Sequence, residues 1–129
     1  MREILFRGKR VDNGEWVIGF YSNELFANKH YISKWYYGSY AELQRFEVIP
    51  ETVGQFTGRT DNNGNRIFEG DILRQWNSRA VVAAEIENCG CCNDVFGFSF
   101  RDKDGDITDS VTFYNGTVIG NIHDNPELL

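Results

Sequence analysis

Ile4 and Phe6 fall on one face of an extended segment, and Trp16, Ile18 and Phe20 fall on one face of the next. Asp12-Asn13-Gly14 lies between them, and Asn-Gly tolerates the positive φ angles of a tight turn. Residues 3–21 are therefore predicted to form a β-hairpin. A second group of turn residues, Thr60-Asp61-Asn62-Asn63-Gly64-Asn65, sits between Val53–Thr57 and Arg66–Phe68 and predicts another hairpin. Strand-like runs follow at 81–86, 96–101 and 111–114, the second alternating Phe96, Phe98 and Phe100 with Gly97, Ser99 and Arg101. Asp104-Gly105 and Asn115-Gly116 supply further turns, and Asn125-Pro126 suits the opening of a single helical turn.

The alternation fails between residues 22 and 45, where aromatic residues and cations mix, and this segment is predicted as an excursion from the core sheet. Ser39 followed by Glu42 has capping-box spacing, and Tyr40, Leu43 and Phe46 recur at helical intervals, so a short helix over 40–47 is expected there. Short strands separated by Gly-bearing turns favour a mostly β fold, a small barrel or strongly bent sheet with at most short helices. A single domain spanning residues 1–129 is expected, because no linker or internal repeat divides the chain.

Composition changes this picture in three ways. With 41% apolar and 15% aromatic residues the chain can offset its ordering entropy, which separates it from disordered sequences. No stretch approaches the roughly 20 apolar residues that cross a bilayer, and no export signal opens the chain, so a cytoplasmic location is expected. The formal charge of −6 opposes general attraction to nucleic acid, which depends on cations displacing counterions from phosphates.

The stretch from Glu47 through Pro50, Gly54, Gly58, Asp61, Asn62, Gly64, Glu69 and Gly70 to Asp71-Ile72-Leu73 resembles the central signature of the YopX family of phage and prophage proteins. Arg2–Arg7 is similar to that family's opening strand, and Gly120-Asn121-Ile122-His123-Asp124-Asn125-Pro126-Glu127-Leu128-Leu129 to its closing motif. The resemblance implies a β-barrel-like domain with SH3-type character, so the fold expected is a small SH3-like or partly open β-barrel with hairpin extensions, encoded by a phage or prophage in a bacterial host and with a biochemical role that is unassigned. It carries over no catalytic residues. The glycines and the Asp61-Asn62 pair of these motifs have a structural reading as turn formers.

Candidate chemistry is sparse. Cys89, Cys91 and Cys92 are too close together for a disulfide framework and lack the two spaced ligand pairs of a structural zinc site. Asp102, Asp104 and Asp106 imitate a calcium loop, as do Asp61, Asn63 and Asn65, but each lacks the Gly and the bidentate Glu that such a loop needs. Asn115-Gly116-Thr117 has the form of a glycosylation sequon and reads as a turn, while His123, a single histidine between Asn121 and Asp124, makes a poor metal site or general base. No metal or other cofactor is expected. Glu69 and Asp71 would be the carboxylates of a metal-dependent hydrolase, the weakest of three readings.

Lys29, His30, Tyr31, Lys34, Trp35, Tyr36 and Tyr37 are the candidate interaction surface. Such residues anchor protein interfaces, and they also stack on bases beside phosphate-binding cations in single-strand binders. A non-enzymatic module that binds a protein partner or a copy of itself is the first reading, and a nucleic-acid-binding module is its rival.

Overall fold

The computed structural model describes residues 4–24, 26–87, 95–113 and 115–129. The chain is mostly β, with short 3-10 turns at Pro50–Thr52 and Pro126–Leu128, the second opening on proline as the Asn125-Pro126 pair predicts. Two compact units divide it, Met1–Phe56 and Thr57–Leu129.

The first unit contains β1 (Phe6–Lys9), β2 (Trp16–Glu24), β3 (Lys29–Tyr37), β4 (Ala41–Val48) and the start of β5 (Gly54–Thr60). Their order is β4-β3-β2-β1-β5, with antiparallel neighbours. Trp16, Ile18 and Phe20 do share a face of β2, but it is not the core face: Val17 and Tyr21, on the other side, share a face with Ile32 of β3 and with Phe46 and Val48 of β4. Val17, Ile32 and Val48 form the buried core there, with Phe6, Tyr21, Phe46 and Val53 packed around it. Each fully buried aliphatic side chain contributes on the order of 2 kcal/mol to such a core.

The sheet is strongly bent. Arg10 bridges Val48, Val11 N–H donates to Glu47 O at 3.0 Å and Ile49 N–H donates to Lys9 O at 2.8 Å. Gly8 makes this approach possible, since a Cβ at that position would lie 2.9 Å from Val48. The Arg10↔Val48 bridge just past β1 is isolated rather than part of a strand ladder, and the sheet does not close into a barrel.

Residues 40–47 correct the sequence reading. Instead of a helix, Ala41–Val48 is a strand paired with β3 over eight positions, from Tyr37↔Ala41 to His30↔Val48. An isolated eight-residue helix is marginal, whereas the ladder satisfies the backbone groups that face β3. Residues 22–45, predicted as an excursion, run through the end of β2, all of β3 and the first part of β4.

The second unit pairs the end of β5 with β6 (Arg66–Phe68). It also holds a four-stranded antiparallel sheet in the order β10-β7-β8-β9, made of β7 (Asp71–Gln75), β8 (Ser78–Glu87), β9 (Val95–Arg101) and β10 (Thr117–Asn121). Its core is Ile67, Leu73, Ala80, Val82, Phe100 and Val111, with Phe98, Phe113 and Val118 against it. Val111–Phe113, predicted as part of a strand, is a looped segment. Its apolar pattern reflects packing, for Val111 is fully buried and the Phe113 ring lies 4.7 Å from that of Phe100. Tyr114 and the cysteine segment 88–94 lie outside the described residues.

Candidate functional site

β3 places the predicted surface residues on two faces. His30, Lys34 and Tyr36 share the face of Ile32, while Tyr31, Trp35 and Tyr37 point the other way. His30 is half-buried, stacks on Tyr21 with ring centres 5.7 Å apart and shares a hydrogen bond with the Tyr21 hydroxyl. Tyr31 is buried beneath the Arg45 guanidinium, which lies 4.0 Å from its ring centre. These two therefore belong to the body of the sheet. Lys29, Lys34, Trp35, Tyr36 and Tyr37 are exposed.

Register adds residues that the linear pattern missed. Leu43 lies directly opposite Trp35, and Phe20, opposite Ser33, lies diagonally across from Trp35. Phe20, Trp35, Tyr37 and Leu43 thus share the face opposite the core, with 55%, 46%, 81% and 51% of their surface exposed. Toward the β2–β3 turn the same face becomes charged. Arg45 meets Glu24 at 3.6 Å and Lys29 meets Glu47 at 4.0 Å. Other cations of this unit are also engaged, Arg7 over the Trp16 ring at 4.7 Å and Arg10 over Phe46 at 4.4 Å while bonded to Asp12 at 2.6 Å.

The units differ in charge. Met1–Phe56 contains seven Lys or Arg and seven Asp or Glu, so the whole formal excess of −6 lies in Thr57–Leu129. The electrostatic opposition to polyanions is a property of the second unit.

The motif residues have defined local partners. Asp61 is buried and accepts N–H bonds from Asn63 (2.9 Å), Asn65 (2.8 Å) and Val118 (3.0 Å), and from the Asn65 side chain (3.3 Å). Burial pushes its carboxyl upward, but the amide donors of Val118, Asn65 and Asn63 outweigh it and hold the group below the ordinary aspartate value. The Asn62 side chain accepts a bond from Thr117 Oγ1 at 2.8 Å. Gly58 and Gly64 sit at positive φ, as does Gly70, whose N–H reaches Val82 O and whose carbonyl accepts from Ile122.

Asp71, considered above as half of a hydrolase carboxylate pair, is buried and accepts the Phe68 N–H at 2.8 Å, while Glu69 is half-buried. The Asp71 carboxylate thus helps to hold the turn that enters β7. At the chain end, Asn121 Oδ1 accepts from His123 and Asp124 N–H, and a Cβ on Gly120 would lie 2.7 Å from Asn125 Oδ1. Pro126 and Glu127 occupy the exposed 3-10 turn. Asp102 accepts the N–H groups of Asp104 and Asp106, so this calcium-loop imitation is an Asx-type turn. Among the described residues no group of three or more His, Cys, Asp or Glu is placed to hold a metal ion. No helix among them is long and apolar enough to cross a membrane.

One further exposed aromatic escaped the sequence reading. Trp76, at the tip between β7 and β8, has φ 57° and is 90% exposed. A bulky side chain in the left-handed region is strained, and no motif marked it.

A family model described as YopX protein matches residues 5–129. No curated protein matches the chain. Among solved structures, the chain is similar in fold to the crystal structure of protein EF1440 from Enterococcus faecalis, with a TM-score of 0.56 and 22% identity over 100% of this chain and 99% of that one.

Proposed function

This chain belongs to the YopX family, and we propose that it acts as a non-enzymatic interaction module, a phage or prophage accessory protein that binds a protein partner in the cytosol of a bacterial host. The observation that carries this reading is the solvent-facing group of Phe20, Trp35, Tyr37 and Leu43 on the side of the first sheet opposite its core. A group of large apolar side chains left open on a rigid sheet has the composition of an interface centre, with Arg45, Glu24, Lys29 and Glu47 as its polar rim. The bent, partly open first sheet supports the SH3-like character that the resemblance implies.

A protein partner suits this face better than nucleic acid. Arg7, Arg45 and Lys29 on this face are engaged with aromatic rings or carboxylates, so a phosphate backbone would have to displace existing contacts.

The test is recovery of a stoichiometric partner from host lysate, compared with a Trp35→Ser/Leu43→Ser variant that retains the wild-type circular dichroism and melting transition. The partner is expected to be lost from the variant, and hydrogen exchange in residues 33–45 to slow when the purified partner is added to wild type. Equal recovery by both proteins, with no protection of that segment, would overturn the reading.

A further inference from the structure

β2 and β3 form a fork. Their register runs from Glu24↔Lys29 to Phe20↔Ser33 and ends there, although β3 remains paired with β4 as far as Tyr37↔Ala41. Beyond the fork β2 pairs with β1, from Gly19↔Phe6 to Trp16↔Lys9. The fork point is tight, since a Cβ on Gly19 would lie 2.1 Å from the Ser33 carbonyl oxygen. Past it, the strands are separated by an open cleft of about 190 Å³, bordered by Trp16, Val17 and Ile18 on one side and Lys34 and Tyr36 on the other, with Phe46 beneath.

Three features of this cleft define what would fill it. First, the Lys34–Tyr37 edge of β3 that faces β2 has no strand paired to it among the described residues, and its backbone groups require hydrogen bonds. Second, beside Arg10 and Glu15 the lining carries the apolar and aromatic side chains of Trp16, Val17, Ile18, Tyr36 and Phe46, which suit side chains that alternate along an extended chain. Third, Lys34 makes no ion pair among the described residues. Its ammonium lies over the Tyr36 ring at 5.6 Å, whereas Lys29, Arg45 and Arg10 each have a carboxylate. The cleft therefore offers main-chain pairing, apolar contact and, apart from Arg10 already paired with Asp12, one cation without a carboxylate among the described residues. A nucleotide would use the cation and leave the strand edge open.

We propose that the fork is a docking slot for an extended segment of a partner protein, which adds as a strand to the Lys34–Tyr37 edge of β3 and sets a carboxylate beside Lys34. This inference rests on the reading of the first unit as a protein-recognition module and names the form of peptide that it recognises. The side chains of the added strand alternate between the face of Lys34, Tyr36 and Phe46 and the face of Trp35 and Tyr37, so one acidic residue beside Lys34, flanked by apolar residues that meet the Trp35 face, is the minimal motif.

The experiment uses the full chain against an array of pentapeptides with Glu fixed at the centre and the flanking positions varied over apolar and aromatic residues. Binding of a subset is expected, weakened at least tenfold by Lys34→Glu and abolished when alternate peptide amides are N-methylated, which removes strand pairing. The Lys34–Tyr37 amides should exchange more slowly in the complex. Failure of every peptide to bind, or binding indifferent to N-methylation, would overturn the slot. Binding lost in the Trp35→Ser/Leu43→Ser variant but unaffected by Lys34→Glu and by N-methylation would overturn the slot while sparing the module. Protection of the same edge by concentration-dependent dimerisation, without peptide binding, would place a second copy there and overturn the assignment to a partner.

Discussion

Asp61 shows how a single side chain can fix a turn and a strand together, because its two oxygens serve the amides of Asn63 and Asn65 within the turn and that of Val118 in β10. Asp61→Ala strands these buried donors and is expected to cost about 3 kcal/mol, read as a lower urea midpoint at neutral pH. Its pH dependence has a definite sign. The folded carboxyl titrates below the unfolded one, so its stabilisation is present above the unfolded value near 4 and is lost as pH falls through the folded value. Urea midpoints from pH 6 down to pH 2.5 should fall more steeply below about pH 4 in wild type than in Asp61→Asn. Trp76 presents the opposite case, a residue that the local backbone disfavours. Trp76→Asn, which tolerates positive φ, should raise thermal stability by about 1 kcal/mol, and an unchanged or lower melting temperature would contradict the strain argument.

The strands of the first unit depend on close approach as much as on side-chain pattern. Gly19 lies where β2 touches β3, and a methyl group there meets the Ser33 carbonyl oxygen and carbon, which cannot swing aside, before it meets the Ile32 side chain. Gly19→Ala is expected to destabilise the protein by about 2 kcal/mol. Gly38→Ala, in the turn between β3 and β4 with nothing within 4 Å of the added atom, should stay within about 0.5 kcal/mol of wild type. Similar losses in both variants, measured by urea unfolding, would show that the Gly19 contact does not hold the fork. β4 teaches a related lesson about periodicity. Tyr40, Leu43 and Phe46 match a helical interval, but in the strand Leu43 faces solvent and Phe46 faces the core.

Charge is distributed at the scale of the whole chain, with a neutral first unit carrying the aromatic sheet and a second unit carrying the acidic excess. Because the cations of the neutral unit are largely engaged internally, the intact protein is expected to give no anisotropy change with a fluorescent single-stranded 12-mer at low salt. A signal that appears at low salt and declines steeply as salt rises would contradict that expectation and revive the nucleic-acid reading. The same segregation explains why total charge is a poor guide to any one face, since it averages two units of different character.

The sequence by itself determined the β class, the turns at Asn13-Gly14 and Asp61–Asn65, and the family signature, because strand alternation and positive-φ turns are local requirements written in neighbouring residues. It also singled out the segment Lys29–Tyr37 through its unusual composition, without distinguishing its exposed residues from His30 and Tyr31 in the body of the sheet. Only the tertiary structure decided that Tyr31 is buried, that Phe20 and Leu43 join Trp35 on an open face, and that β2 and β3 part beyond Ser33. Each of these depends on register and strand separation between distant segments, where a shift of one residue would turn every side chain to the other face.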